Sequence, residues 1–237
     1  MKIALIGYGK MGHEIERIAL ERGHEIVSTI DVGNLNDFDS QMFRSADVAI
    51  EFTRPESALF NYRKCFEAKV PVVSGTTGWL EHLSEIQSEC EKGRTFFYAS
   101  NFSLGVNLFF ALNKKLAQMM NSFPSYDVRM KEIHHTQKLD APSGTAITLA
   151  EGILENSTRK SRWVNETSNT PEDLVVASER TGQVPGYHEV IWESEVDTIC
   201  IAHNAKNRVG FAFGAVLAAE FTATKKGFLG MNDLLGF

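Results

Sequence analysis

The stretch "KIALIGYGKMGHEIERIALERGHEIVSTID", residues 2–31, decides how the chain is read. "KIALI" (2–6) is an apolar run of strand length. "GYGKMG" interrupts it with three glycines. "HEIERIALERG" then places Ile15, Ile18 and Ala19 at helical spacing, and Gly23 closes the segment. "HEIVSTID" is a second strand, ending at Asp31. Strand, glycine turn, helix, strand is a βαβ unit, because two parallel strands need a crossover between them.

Within it, Gly7-x-Gly9-x-x-Gly12 follows the strand directly and opens the helix, and Asp31 stands nineteen residues beyond Gly12. Gly7 suits the tight turn, Gly9 lets backbone approach a pyrophosphate, and Gly12 allows close helix–strand packing. The helix N-terminus offers unpaired N–H groups and the positive end of its dipole to phosphates. Asp31 is placed to accept hydrogen bonds from ribose hydroxyls. The pattern therefore predicts dinucleotide binding. A carboxylate there repels a 2′-phosphate, and Val32 follows it where an arginine would pair with one, so NADH is expected over NADPH. Lys10 and Arg54 are the nearest cations that would moderate that preference.

The alternation continues outward. "ADVAIEFT" (46–53), "VPVVS" (70–74) and "RTFFY" (94–98) read as strands. "RPESALFNYRKCFEAK", with Pro55 near its start, and "LEHLSEIQSECEKG" read as helices. That rhythm predicts a doubly wound parallel α/β sheet of Rossmann type. Near residue 104 it changes. "LGVNLFFALNKKLAQMM" and "GTAITLAEGILEN" read as helices, "YDVRMKEIHH" as a strand, and residues 157–173 as a polar loop. "DLVVASERTG", "HEVIWESEV" and "DTICIAHNA" read as antiparallel strands of an inserted α+β domain. "RVGFAFGAVLAAEFTATKKG" reads as a closing helix. The expected domains are 1–103 with 208–237, and 104–207.

Composition narrows the class. Charged residues make up 23% of the 237 and apolar residues 43%, which is the balance of a soluble globular chain. A net charge of −6 excludes a global field attracting nucleic acid or anionic lipid. No apolar segment approaches the length of a membrane span. "MKIALIGYGKMG" is too short an apolar run for a secretion leader, so none is expected. Cys65, Cys90 and Cys200 are odd in number and widely spaced, which argues against a disulfide framework or zinc ribbon and for a cytoplasmic setting.

"EIHHTQKLDAPSGTA" (132–146) is the chemically dense stretch. Adjacent histidines on a strand point to opposite faces, so His134 and His135 do not share one core. No H-E-x-x-H or cysteine cluster accompanies them, so no metal is expected. Taken alone the stretch reads equally as a solvated loop or as a site. However, Ser143-Gly144-Thr145 opens a helix, which makes a second anion-binding terminus, and Lys138 adds a positive charge. Beside a dinucleotide fold, this suggests reduction of a small anionic metabolite.

E-x-H-H-x-x-K-x-D-A-P-S-G-T-A resembles the signature of the dihydrodipicolinate reductase family. The match runs through Glu132, His134, His135, Lys138, Asp140 and all of Ala141–Ala146. "EFTRPE" (51–56), "GTTG" (75–78), "SNFSLGVN" (100–107) and Arg208-x-x-Phe211-x-x-Gly214-Ala215 are similar to further family segments. The resemblance implies NAD(P)H-dependent reduction of 4-hydroxy-tetrahydrodipicolinate to tetrahydrodipicolinate, in diaminopimelate and lysine biosynthesis. It also implies a homotetramer built through the sheet of the inserted domain. By motif position His134 is the general acid and Lys138 its partner, while His135, Ser143, Gly144 and Thr145 hold the substrate carboxylates. Gly7, Gly9, Lys10, Met11, Gly12 and Asp31 fall to the cofactor. So do Phe52, Thr53, Gly75, Thr76 and Thr77, then Ser100, Asn101 and Phe102, and finally Arg208 and Phe211.

Many family members carry one more residue in the first glycine loop and an arginine after the acidic residue. Both departures here bear on cofactor choice rather than on the reaction. Two rival readings are a Rossmann reductase of another small dicarboxylate or imino acid, and a dinucleotide sensor that has lost its chemistry. The sensor reading predicts decay of the acid–lysine pair, and His134 and Lys138 are both present. Trp79, Trp163 and Trp192 are expected as packing or rim residues, His13, His24 and His82 in solvent. His188 and His203 flank strands, from which either could face a pocket, and Glu132 stands two residues from His134.

Overall fold

β1 (Lys2–Ile6), α1 (Lys10–Glu21) and β2 (Glu25–Ile30) open the chain, with β1 and β2 side by side and parallel, Ile6 opposite Ile30. The computed structural model describes residues 1–207 and 209–237. Two units result: Met1–Leu104 with Val209–Phe237, and Gly105–Arg208, of which Arg208 itself lies outside the described residues.

In the first unit, α1 buries Gly12, Ile15, Ile18 and Ala19, the stripe its spacing requires. After β2 comes a 3-10 turn at Leu35–Asp39 and α2 (Gln41–Arg44), a piece the sequence reading passed over. Ser40 caps it by accepting from the Phe43 amide, and Phe38 and Phe43 are buried. β3 (Val48–Glu51), α3 (Pro55–Ala68), β4 (Val72–Ser74), α4 (Leu83–Glu91) and β5 (Thr95–Tyr98) continue the alternation.

The second unit is α5 (Leu104–Met120, belonging to it from Gly105), β6 (Asp127–His134), α6 (Gly144–Leu154), β7 (Arg162–Val164), β8 (Asp173–Arg180), β9 (Gly186–Glu193) and β10 (Thr198–Ala205). Its sheet has the order β10-β9-β6-β8-β7. Two expectations are corrected. β8, β9 and β10 alternate in direction as expected, but β8 is bonded to β6, to which it runs parallel, and not to β9, because the chain crosses over through α6 before returning. The polar 157–173 stretch contains β7, a three-residue edge strand parallel to β8. Phe109, Ala117 and Met120 of α5 and Leu149, Ala150 and Ile153 of α6 join the same core as Val128, Met130, Val176 and Trp192 of the sheet. The inward side chains of β6 are Val128, Met130, Glu132 and His134, so a face that begins apolar ends polar.

The chain then returns through α7 (Val209–Thr222), β11 (Gly227–Leu229) and α8 (Met231–Leu235). β11 adds a sixth strand, absent from the sequence reading, and the sheet order is β11-β5-β4-β3-β1-β2, all pairs parallel. α7 packs so closely that a Cβ on Gly214 would sit 1.8 Å from the Phe102 carbonyl oxygen. Trp79 and Trp192 are buried and Trp163 packs against the second core. His24 is not solvated as expected: its Nε2 lies 2.7 Å from Glu220 on α7, which also binds Arg22. No helix among the described residues is long and apolar enough to cross a membrane.

Candidate active site

Beyond the C-terminal ends of β1, β2 and β3 lies a cleft of about 760 Å³. Gly7, Tyr8 and Gly9 line it from the first turn, Asp31 and Val32 from the end of β2, and Phe52, Thr53, Arg54, Ser57 and Asn61 from β3 and α3. Gly7 has φ +90°, and a Cβ there would lie 2.1 Å from the Phe52 carbonyl oxygen; both facts demand glycine. A Cβ on Gly12 would lie 2.4 Å from the Gly7 oxygen, which is the close packing expected of the third glycine. No side chain caps α1 at Gly9, so its first-turn N–H groups remain available at the cleft. Asp31 accepts from the amides of Tyr8 (3.1 Å) and Val32 (2.8 Å), which hold its carboxylate at the end of β2.

Beneath this cleft Glu51 is fully buried, and no ion pair to it is found among the described residues. Its carboxylate accepts from Ser74 (2.7 Å), Thr76 (3.0 Å), Asn61 (3.4 Å) and the Thr53 hydroxyl. Burial pushes its pKa up, and these donors oppose the shift.

Of the residues expected at the cofactor, Gly7, Gly9, Asp31, Phe52 and Thr53 line the cleft. Lys10 and Met11 stand in the first turn of α1. Gly75 touches the Phe52 ring, where a Cβ would approach within 2.1 Å, and Thr76 binds Thr53. Thr77 and Ser100 are exposed, and Asn101 accepts from the Ser103 amide. The Phe102 side chain is buried between Phe52 and Phe97, and Phe211 is half-buried on α7. Arg208 lies outside the described residues. Sequence reasoning missed Tyr8, Ser57 and Asn61. The last two were detectable as positions four and eight beyond Thr53, on one face of α3.

In the second unit the histidine pair divides as strand alternation requires. His135 lines an open cavity of about 660 Å³ with Thr136, Gln137, Gly182, Gln183, Pro185 and Asn207. His134 faces inward. Its Nδ1 is 3.2 Å from Oε2 of the fully buried Glu132, at an angle too oblique for a well-formed hydrogen bond. A Cβ on Gly186 would lie 3.1 Å from its Nε2, so a side chain at 186 would crowd that nitrogen. His188 completes the group, its ring 5.1 Å from that of His134 and its Nε2 3.0 Å from the Ser143 hydroxyl. Glu132 also accepts from the Ser143 amide (3.1 and 3.2 Å) and from Arg180 (2.9 Å). Burial alone would raise the Glu132 carboxyl; the neighbouring His134 ring and donors from Ser143, Ser178 and Arg180 outweigh it and hold the group well below the usual carboxylate range. Burial first, and then the charge of His134, pushes His188 down to about 4.

The Ser143 hydroxyl is engaged internally, accepting from the Ala146 amide as the cap of α6 as well as meeting His188. Gly144 is exposed and Thr145 half-buried at the helix start. Lys138 places its ammonium 2.8 Å from both oxygens of Asp140. His203 packs on Phe109, with ring centroids 6.3 Å apart. No metal-ligating motif accompanies the histidines along the chain. The structure supplies two, since ligand atoms of Glu132, His134 and His188 lie within 4.8 Å of one another. The Glu132 carboxylate, however, is already neutralised by Arg180 and bound by the Ser143 amide, so the cluster reads as a hydrogen-bonded network.

Comparison with known proteins gives a consistent relationship. The family models "Dihydrodipicolinate reductase, N-terminus" and "Dihydrodipicolinate reductase, C-terminus" match residues 1–102 and 105–235. A 4-hydroxy-tetrahydrodipicolinate reductase of Christiangramia forsetii is 48% identical over 99% of this chain and 98% of its own. One of Staphylococcus aureus is 36% identical over 99% and 100%. Among solved structures, the dipicolinate-bound dihydrodipicolinate reductase of Paenisporosarcina sp. TG-14 has a TM-score of 0.77 at 25% identity, covering 97% of both chains.

Proposed function

The chain belongs to the dihydrodipicolinate reductase family, and from that premise we infer that it reduces 4-hydroxy-tetrahydrodipicolinate to tetrahydrodipicolinate with a pyridine nucleotide, a step of diaminopimelate and lysine formation. The observation that carries this reading is the end-to-end likeness to reductases of that name. The residues present fit a dinucleotide: an uncapped helix start, a positive-φ glycine against Phe52, and a carboxylate held at the end of β2. A reduced nicotinamide cofactor bound there supplies the hydride. Gly7, Gly9 and the α1 amides would hold its phosphates and Asp31 its ribose. NADH is the preferred form because Val32, 90% exposed, offers no charge to a 2′-phosphate. Arg54 lines the same cleft, which keeps the preference from being absolute.

For each hydride the substrate needs one proton, and water leaves. His134 would donate that proton from Nε2, since Nδ1 is turned toward Glu132. Lys138 and the amides of Gly144 and Thr145 would bind the carboxylates, with His135 orienting one of them. The relative from Paenisporosarcina binds dipicolinate; pyridine-2,6-dicarboxylate should therefore inhibit this protein competitively against substrate and not against NADH. Loss of NADH absorbance on adding freshly made product of the preceding synthase tests the reaction, and no turnover with either cofactor would refute it.

A homotetramer and a cytoplasmic setting complete the reading. Edge strand β10 exposes Ile199, and Val196 just before it is 87% exposed, which supports association through this sheet. Light scattering at micromolar concentration should give four times the 26.4 kDa chain mass; the single-chain mass would refute assembly. Cys65, Cys90 and Cys200 are free thiols, in keeping with a reducing compartment.

A further inference from the structure

The loop that carries Lys138 is held by few backbone bonds among the described residues: the Thr136 amide donates to the Gly182 carbonyl at 3.3 Å and the Lys138 amide to that of His135 at 3.1 Å. Thr136, Gln137, Asp140 and Ala141 are exposed, and Leu139 is 96% exposed, so the loop's single large aliphatic side chain gives no anchor in the core. Lys138 binds Asp140, two residues further along the same loop, so this ion pair moves with the loop instead of fixing it. Among the described residues, one side chain from outside donates hydrogen bonds to the loop's carbonyls. Arg180, at the end of β8, donates to the carbonyl oxygens of Lys138 (Nε, 3.3 Å) and Asp140 (Nη2, 2.5 Å). The same Nη2 donates to Glu132 at 2.9 Å, and Nη1 to the Glu179 carbonyl. The guanidinium is itself well placed: His134 and Arg180 are register partners on β6 and β8, and the Thr181 amide donates to the His134 carbonyl at 2.8 Å.

We propose that Arg180 is a positioning residue for the reaction: it ties the Lys138–Asp140 loop to the buried Glu132 and so fixes where the Lys138 ammonium is presented. The proposal rests on the role given to Lys138 above. A guanidinium suits the task because its planar fork donates in several fixed directions at once, whereas an ammonium is a point charge on a flexible stem. Arg180→Lys therefore separates two roles. A lysine still neutralises Glu132 but does not hold two carbonyls and a carboxylate together.

The test is a double-mutant cycle of Arg180→Lys with Lys138→Ala, read by kcat/KM and by the affinity for pyridine-2,6-dicarboxylate in calorimetry. Neighbouring residues that act through one another are non-additive. Arg180→Lys alone should lower kcat/KM roughly tenfold or more and weaken the dicarboxylate, while in the Lys138→Ala background it should change either by less than about threefold. NADH affinity, measured by fluorescence, should stay as in the wild type. If Arg180→Lys does not fold, Arg180→Gln, which retains amide donors, enters the same cycle. Equal losses in both backgrounds, with Lys138→Ala itself impaired, would overturn the role of Arg180 and leave that of Lys138 standing. A Lys138→Ala variant with unchanged kcat/KM and dicarboxylate affinity would instead remove Lys138 from the site, and this proposal with it.

Discussion

The amide of Thr53 donates to the hydroxyl of Thr76 across 2.8 Å, and that hydroxyl in turn donates to Glu51. This bond joins the turn after β3 to the turn after β4, and Glu51 sits at its root. Tyr62 extends the network, its hydroxyl 2.7 Å from that of Ser74. Glu51 is thus a buried carboxylate surrounded by neutral donors.

Its raised pKa fixes the sign of a pH effect. When the folded pKa exceeds the unfolded one, the folded state binds more protons between the two values, and stability falls as pH rises through that window. Wild type should lose stability relative to Glu51→Gln from pH 4.5, the ordinary value, up through the folded midpoint. Melting temperatures of both proteins across that range check this; a constant difference would show that Glu51 does not titrate in the fold.

His188 works in the opposite direction. Its folded value of about 4 lies below the ordinary 6.5, so the unfolded state binds the extra proton between them. Stability should fall as pH drops from 6.5 to 4, by at most about 3 kcal/mol if the whole shift is realised. His188→Gln should flatten this limb in a melting series. A limb of unchanged slope would assign the acid sensitivity to other groups.

Several of these features were legible in the chain before its structure. Gly7, Gly9, Gly12 and Asp31 form a local pattern whose spacing follows from one βαβ unit, and strand alternation separates His134 from His135. Arg180 was not legible, because it lies 48 residues from Glu132 and its other partners are backbone carbonyls, which leave no mark on side-chain pattern. The Glu51 network was hidden for a similar reason, since Thr76 comes from a turn 25 residues away. The pairing partner of β8 depends on the route taken through α6, and β11 is too short, at three residues, to show a period.

Cofactor choice follows from one carboxylate and one cation. Asp31 and Arg54 line the same cleft; on the proposed reading the carboxylate would disfavour a 2′-phosphate and the guanidinium would moderate that. kcat/KM should favour NADH by about tenfold or less, equivalent to about 1.4 kcal/mol. Asp31→Ala should narrow the ratio and Arg54→Ala should widen it. A wild-type preference for NADPH would contradict the assignment of Asp31.

The proton donor is the last and most direct test. Histidine is the side chain whose ordinary pKa lies nearest neutrality, which suits delivery of one proton per turnover. His134 ends the inward face of β6 with Glu132 3.2 Å from its Nδ1 and Gly186 beside its Nε2, and Nε2 is the nitrogen proposed to deliver the proton. His134→Ala should lower kcat by roughly 10²–10⁴, the range for a positioned general acid. NADH affinity should hardly change, because the cofactor cleft belongs to the other unit. Lys138→Ala should lower kcat and also raise the substrate KM, since it removes both charge and binding. Glu132→Gln should fall between them, leaving His134 in place but without the carboxylate beside its Nδ1. Single-turnover rates for the three variants, measured with saturating NADH, would order them. If His134→Ala turned over within about threefold of wild type, far outside the general-acid range, the proton would have to come from Lys138 or from solvent.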